Sequence, residues 1–235
     1  WRNPNALVIH RINECDERKN TSNMNQKLRR ANYIADHTVF IASWLQSLDV
    51  WQRSSARSII LNGSDASMFR QSRNVPWDGQ QKLKLVTHHW GANYMKGFDV
   101  YFKLDQLLSE PNWKTRVEFT FIGNLPRGYH FRNANYLSPL SGKDLAEELS
   151  RHHVYITASV NEPAGMHHIE GVLSGLPVLY RNSGGLPEYC RGFGIEFIGD
   201  EFIPALENIF TSYHHFKKII SEYPYTSDYM CAGYI

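Results

Sequence analysis

The sequence predicts an α/β protein built on parallel sheets, and three observations carry that expectation. Short apolar runs alternate with segments of helical period from one end of the chain to the other. Polar loops rich in Gly, Asn and Ser separate them, which is the rhythm of strand, crossover helix and parallel strand. Composition is the third: 42% of the 235 residues are hydrophobic and 20% charged, with 13 Tyr, 12 Phe and 6 Trp to fill a core. A chain of this length holds one large domain, or one domain and part of another.

In order along the chain, residues 6–9 read as a strand, and Met24, Leu28, Ala31 and Ala35 mark one face of a helix. Residues 38–42 form a second strand, 44–51 a short helix and 58–61 a third strand, closed by the turn pair Asn62-Gly63. From 65 to 79 the chain turns to Ser, Arg, Asn, Pro and Gly, and a domain boundary is expected there. Residues 1–66 are then the C-terminal part of one domain, 67–78 a linker, and 79–223 a second domain. Residues 224–235 start a segment able to cross back to the first. Because Trp1 leads almost directly into a strand, the first domain is expected to be truncated.

The second domain is more regular. Strands are expected at 82–87, 117–122, 153–157, 177–180 and 195–197. Helices are expected at 98–108, 144–149, 167–173 and 186–191. Ser141 to Asp144 reads as a capping box, and Pro187 suits a first helical turn, where its missing N–H costs nothing. Phe202, Leu206, Ile209, Tyr213, Phe216 and Ile220 recur at helical spacing and give a long amphipathic helix that Pro224 ends or kinks.

A formal charge of +2 is too small to imply a nucleic-acid partner. Arg18, Lys19, Lys27, Arg29 and Arg30 do gather locally, and a solvated helix face is preferred to a phosphate- or lipid-binding patch. Cys15, Cys190 and Cys231 lack CxxC spacing, which suggests reduced thiols in a cytoplasmic protein. No apolar run reaches the roughly 18 residues that span a bilayer. The opening residues do not follow the order of a signal peptide. The histidine pairs at 152–153, 167–168 and 214–215 have no partner at a familiar zinc spacing, and no metal is expected.

The chemistry concentrates in the loop after residue 157. Seven residues separate Glu162, in the loop, from Glu170, more than a turn inside the following helix. Between them Gly165, Met166 and His167 occupy the helix start, where free N–H groups and the dipole favour an anion. A carboxylate within the helix can accept two hydrogen bonds from a ribose diol. Ligands of parallel α/β sheets sit beyond the carboxyl ends of the strands, which is where this loop lies.

This Glu-x7-Glu element is followed by Gly175-Leu176-Pro177-Val178 and Gly184-Gly185-Leu186-Pro187-Glu188. The ordered set resembles the signature of retaining glycosyltransferases of family 4, whose GT-B architecture sets two Rossmann-like domains across a cleft. Met95-Lys96-Gly97-Phe98-Asp99 is similar to that family's Lys-Gly element, and Phe121-Ile122-Gly123-Asn124 to the end of its second donor-domain strand. Ile60-Leu61-Asn62-Gly63-Ser64-Asp65 is similar to the segment closing its N-terminal domain. The resemblance runs through essentially the whole chain.

The resemblance implies that Glu170 binds the nucleotide ribose and Glu162 the donor-sugar hydroxyls. Lys96 would neutralise the diphosphate, and amides near Gly165, Met166 and His167 would hold sugar or phosphate. Glu188 either serves the site or favours the N-terminus of its own helix. The donor implied is a UDP- or GDP-type sugar, with no metal cofactor. The acceptor is a sugar or a lipid-linked hydroxyl, in polysaccharide, glycolipid or glycoconjugate synthesis, with room for peripheral membrane contact. Front-face attack assisted by the leaving phosphate is favoured over a covalent glycosyl-enzyme.

Two departures stand out. The family's arginine after the first donor-domain strand is absent from Thr87-His88-His89-Trp90-Gly91. His88 or His89 can donate to phosphate in its place, or can be packed or face the acceptor. The family's catalytic-side histidine is expected upstream of Trp1, while His10 either lines the cleft or is structural. The rival readings are a GT-B sugar-nucleotide epimerase and a non-catalytic nucleotide-sugar-binding scaffold.

Overall fold

The computed structural model describes residues 3, 5–53, 56–70 and 74–235. The expected opening at Trp1 and residues 71–73 of the expected linker lie outside them. Two wholly parallel sheets follow one another. The first has order β1-β2-β3, from strands Ile9–Ile12, His37–Phe40 and Ala56–Ile59, with helix α1 (Met24–Asn32) between the first two. A short 3-10 turn at Ser43–Ser47 stands where a longer helix, 44–51, is expected. Helix α2 (Ala66–Phe69) then leads towards the second sheet, and the side chain of Asp65 caps it by accepting from the amides of Ser67 and Met68.

The second sheet contains β4 (Leu83–His89), β5 (Val117–Gly123), β6 (Asn135–Leu137), β7 (Val154–Thr157), β8 (Val178–Arg181) and β9 (Gly194–Phe197). Their spatial order is β6-β5-β4-β7-β8-β9. The order reverses between β4 and β7, and the crevice beyond their carboxyl ends is where such sheets hold ligands. The helices are α3 (Phe98–Leu107), α4 (Pro111–Arg116), α5 (Gly142–Ser150), α6 (Met166–Leu173), α7 (Leu186–Cys190) and α8 (Ile203–Ile219). A final helix, α9 (Ser227–Ala232), follows a 3-10 turn at Ile220–Glu222.

Successive strand residues feed opposite faces, so each strand serves two cores. Leu85, Phe121, Ile156 and Leu179 pack with Phe98 and Tyr101 of α3 and Leu206, Ile209 and Tyr213 of α8. Their neighbours Val86, Ile122, Tyr155 and Val178 face the other way, onto Leu145, Ile169 and Tyr189 of α5, α6 and α7. That second core runs on into Ile12 and Phe40 of the first sheet and Ile41 and Trp51 beside it, so one apolar cluster joins both halves.

Several local expectations move. The first strand begins at Ile9, not residue 6: its pairing with His37 of the second strand starts there, and apolar Leu7 before it is 71% exposed. β4 continues to His89, two residues beyond expectation, and buries both His88 and His89 in a strand rather than a loop. Ser141 stands at the N-cap of α5, but its side chain makes no capping bond. The expected linker is anchored at its far end. Asn74 donates to the carbonyls of Ser150 (3.0 Å) and His152 (2.6 Å), and Trp77 packs edge-on against Tyr213.

The chain returns to the first sheet after Pro224. Ser64 and Thr226 form a parallel bridge, with Ser227 N–H donating to Ser64 C=O at 2.8 Å. Gly63 makes this approach feasible, since a Cβ there would lie 1.9 Å from the Thr226 carbonyl oxygen.

Candidate functional site

A cleft of about 730 Å³ opens at the carboxyl ends of β4 and β7, between the two sheets. Lys96, Glu162, Gly165, Met166, His167, Glu170 and His89 all line it. Two loops fix the arrangement. Asn93 caps the 3-10 turn at Tyr94–Lys96 by accepting from Met95 N–H, which sets Lys96 at the turn's end. The loop after β7 is tied to that turn by Val160 N–H to Met95 C=O (2.8 Å), and to α7 by Gly185 N–H to Glu162 C=O (2.8 Å). Lys96 Nζ and the Glu162 carboxylate are thereby brought into a hydrogen-bonded ion pair, with Glu162 only 2% exposed.

Gly165 is the N-cap of α6 and has ordinary extended torsions, so conformation does not demand glycine there. Space does. A Cβ would lie 2.3 Å from the His167 ring and 3.3 Å from Glu162 Cγ. The first-turn N–H groups that follow have no intrahelical acceptors and give the cleft a partial positive charge beside the two carboxylates. One turn further, Glu170 Oε2 sits 2.8 Å from His88 Nε2, whose other ring nitrogen lies 3.2 Å from the Tyr155 hydroxyl.

The histidines behind this surface are held neutral. His89 is buried with its Nε2 at 2.8 Å from the Tyr101 hydroxyl, and burial first, then Lys96 nearby, pulls its pKa well down. His167 Nε2 lies 2.8 Å from Thr157 Oγ1, and burial followed by His89 depresses it likewise. His89, open in the sequence between donating to phosphate, being packed and facing the acceptor, is buried against Tyr101, and its site favours the uncharged ring. Glu188 does not line the cleft. Its Oε1 accepts from Ser43 N–H (2.7 Å) and Oγ (2.5 Å) and so joins α7 to the first sheet. His10 is also away from the cleft lining, its Nδ1 3.0 Å from Asn32 Nδ2.

The structure brings to the cleft residues that the sequence did not place there. Arg11, Asn13 and Asn62 line the cleft from the first sheet's side. Arg18 and Lys19 line it too, and are not part of a helix face with Lys27, Arg29 and Arg30, because they precede α1 in a separate loop. Arg18 Nε lies 3.4 Å from Glu162 Oε1. No periodic pattern could have placed them there. Trp90, 65% exposed at the end of β4, stands at the rim. Among the described residues no group of three or more His, Cys, Asp and Glu is arranged to hold a metal ion, and no helix is long and apolar enough to cross a membrane.

No family model matches the sequence, and no curated protein matches it. Among solved structures the fold itself is found: this is a GT-B α/β arrangement. HepE from Anabaena, solved with UDP and glucose, superposes with a TM-score of 0.72 at 15% identity, covering 97% of this chain and 70% of that one. Sucrose-phosphate synthase from Thermosynechococcus elongatus gives 0.71 at 12% identity, over 96% and 65%. TarM gives 0.69 at 15% identity, over 98% of this chain and 50% of its own. The chain thus spans between half and seven-tenths of the length of these structures.

Proposed function

We propose that this chain is a retaining glycosyltransferase of the family 4 type, taking a UDP- or GDP-linked sugar as donor. One observation carries the reading. Lys96, Glu162, Glu170 and the start of α6 converge on a single cleft at the strand-order reversal of a parallel sheet. HepE has been solved with UDP and with UDP-glucose, and likeness of fold to it supports a nucleotide-sugar donor here.

In this reading Glu170 accepts from the ribose diol and the amides near Met166 and His167 face phosphate or sugar. Lys96 exchanges its pairing with Glu162 for the diphosphate, which frees Glu162 to accept from donor-sugar hydroxyls. Reaction breaks the bond between the anomeric carbon and the phosphate oxygen. The acceptor oxygen bonds to that carbon from the same face, and its proton passes to the departing phosphate oxygen. Fixed charge aimed at the developing negative charge is the main source of rate, and it requires no rearrangement during the step. The acceptor is a sugar or lipid-linked hydroxyl, no metal takes part, and the cytoplasm suits three unpaired cysteines.

Isothermal titration with UDP, GDP and ADP, and then with their sugars, tests the site. NMR of the transferred anomeric carbon tests retention. Absence of binding to every nucleotide would sink the donor site, and an inverted product would sink the mechanism.

A further inference from the structure

The donor half of the cleft has too little positive charge for a diphosphate. Its side supplies Lys96 against Glu162 and Glu170, one cation to two anions, and His89 and His167 are held neutral. Even a charged His88 would bring that sum only to zero. The remaining cations of the cleft, Arg11, Arg18 and Lys19, all come from the other half.

Of these, Arg18 is the one aimed at the phosphate-facing pair. Its Nε lies 3.4 Å from Glu162 Oε1, on the carboxylate whose other oxygen takes Lys96. That Nε is buried and has no hydrogen-bond partner among the described residues. The opposite end of the guanidinium is steadied by Glu14, 3.1 Å from Nη1, which also takes Lys19. Arg11 is less suited, because its Nη2 is committed to Asn62 Oδ1 at 2.5 Å. The loop that carries Arg18 is rigidly built. Asp16 accepts from Thr21 Oγ1 (2.6 Å) and from the amides of Met24 (2.8 Å) and Asn25 (2.9 Å). Asn161 Nδ2 donates to Glu17 C=O at 3.3 Å, docking that loop on the one that carries Glu162.

The geometry points to Arg18 as a contact to the donor's diphosphate, supplied across the cleft by the half that does not hold the nucleotide. This rests on the donor-site reading above. Glu162 keeps Arg18 and Lys96 side by side until phosphate takes its place between them. A guanidinium suits that task because its planar fork meets phosphate oxygens in pairs. Leaving-group stabilisation then requires both halves, so departure of the diphosphate is coupled to correct apposition of donor and acceptor sides.

The test is isothermal titration of wild type, Arg18→Gln and Arg18→Lys with a nucleoside, its monophosphate and its diphosphate, in the uridine and guanosine series. Arg18→Gln should weaken diphosphate binding about tenfold, monophosphate binding less, and leave nucleoside binding unchanged. Arg18→Lys should recover part of the loss. Equal affinity of wild type and Arg18→Gln for the diphosphate overturns this inference and leaves the donor site standing. An equal loss across all three ligands also overturns it, because it would mean action through the position of Glu162. Failure of wild type to bind any of them removes the donor site and this inference together.

Discussion

Glu162 and Glu170 are both acidic and both within one loop-helix unit, yet their surroundings divide their tasks. Glu170 is 2.8 Å from a histidine ring nitrogen, whereas Glu162 is pinned between two permanent cations. Glu170→Gln should therefore weaken nucleotide binding about tenfold, since a neutral amide accepts less strongly from a diol. Glu162→Gln should lower turnover more than affinity. Titration with nucleoside diphosphate beside initial rates separates the two, and Glu170→Gln binding as tightly as wild type would refute the ribose assignment. His89 makes a third prediction. Its buried ring is neutral well below its ordinary value, so nucleotide-diphosphate affinity should show no His89-dependent titration between about pH 6 and 8. The measurement is affinity against pH for wild type and His89→Gln, and a slope present only in wild type would contradict it.

Between elements, Tyr189 is the decisive joint. Its hydroxyl accepts from Asn62 N–H at 2.8 Å and donates to Ile41 C=O at 2.5 Å, so α7 satisfies two backbone groups of the first sheet. Tyr189→Phe strands both, and each unsatisfied buried group costs about 1–3 kcal/mol. Urea unfolding should register a loss of about 2–6 kcal/mol for the two groups together, with a change below about 0.5 kcal/mol counting against the joint. The sequence made such an element visible but not its partner. The Pro187 start marked α7, while the contact to Ile41 spans 148 positions of chain. The same limit explains the site. Glu162 and Glu170 were legible because spacing within one loop and helix encodes them, and Lys96 through the resemblance carried by residues 95–99, whereas Arg18 reaches the cleft only by docking of a loop without period. Helix α4 is six residues and β6 three, with Asn135 and Tyr136 exposed, so neither offered a pattern long enough to read.

Across the molecule, buried histidines make stability depend on pH. Burial holds His153 at about 4 and His168 at about 3, and depresses His89 and His167 as well. Each folded value lies below the ordinary 6.5, so the unfolded chain binds more protons between the two. Stability is thus fully present above about 6.5 and falls as pH drops towards the folded values, by about 1.4 kcal/mol per histidine per pH unit. The urea midpoint should fall markedly between pH 7.5 and about 5.5, and a flat profile would mean these rings are not neutral and buried. The Ser64–Thr226 bridge has its own consequence at this scale. The peptide passes between the two sheets twice, outward near Ser64 and back near Thr226, and the bridge lays the two crossings side by side. One thread between two bodies constrains their orientation little, but two threads fastened together remove most of that freedom. Together with the apolar cluster shared by the two sheets, this double crossing keeps the Arg18 loop and the Lys96 turn facing one cleft.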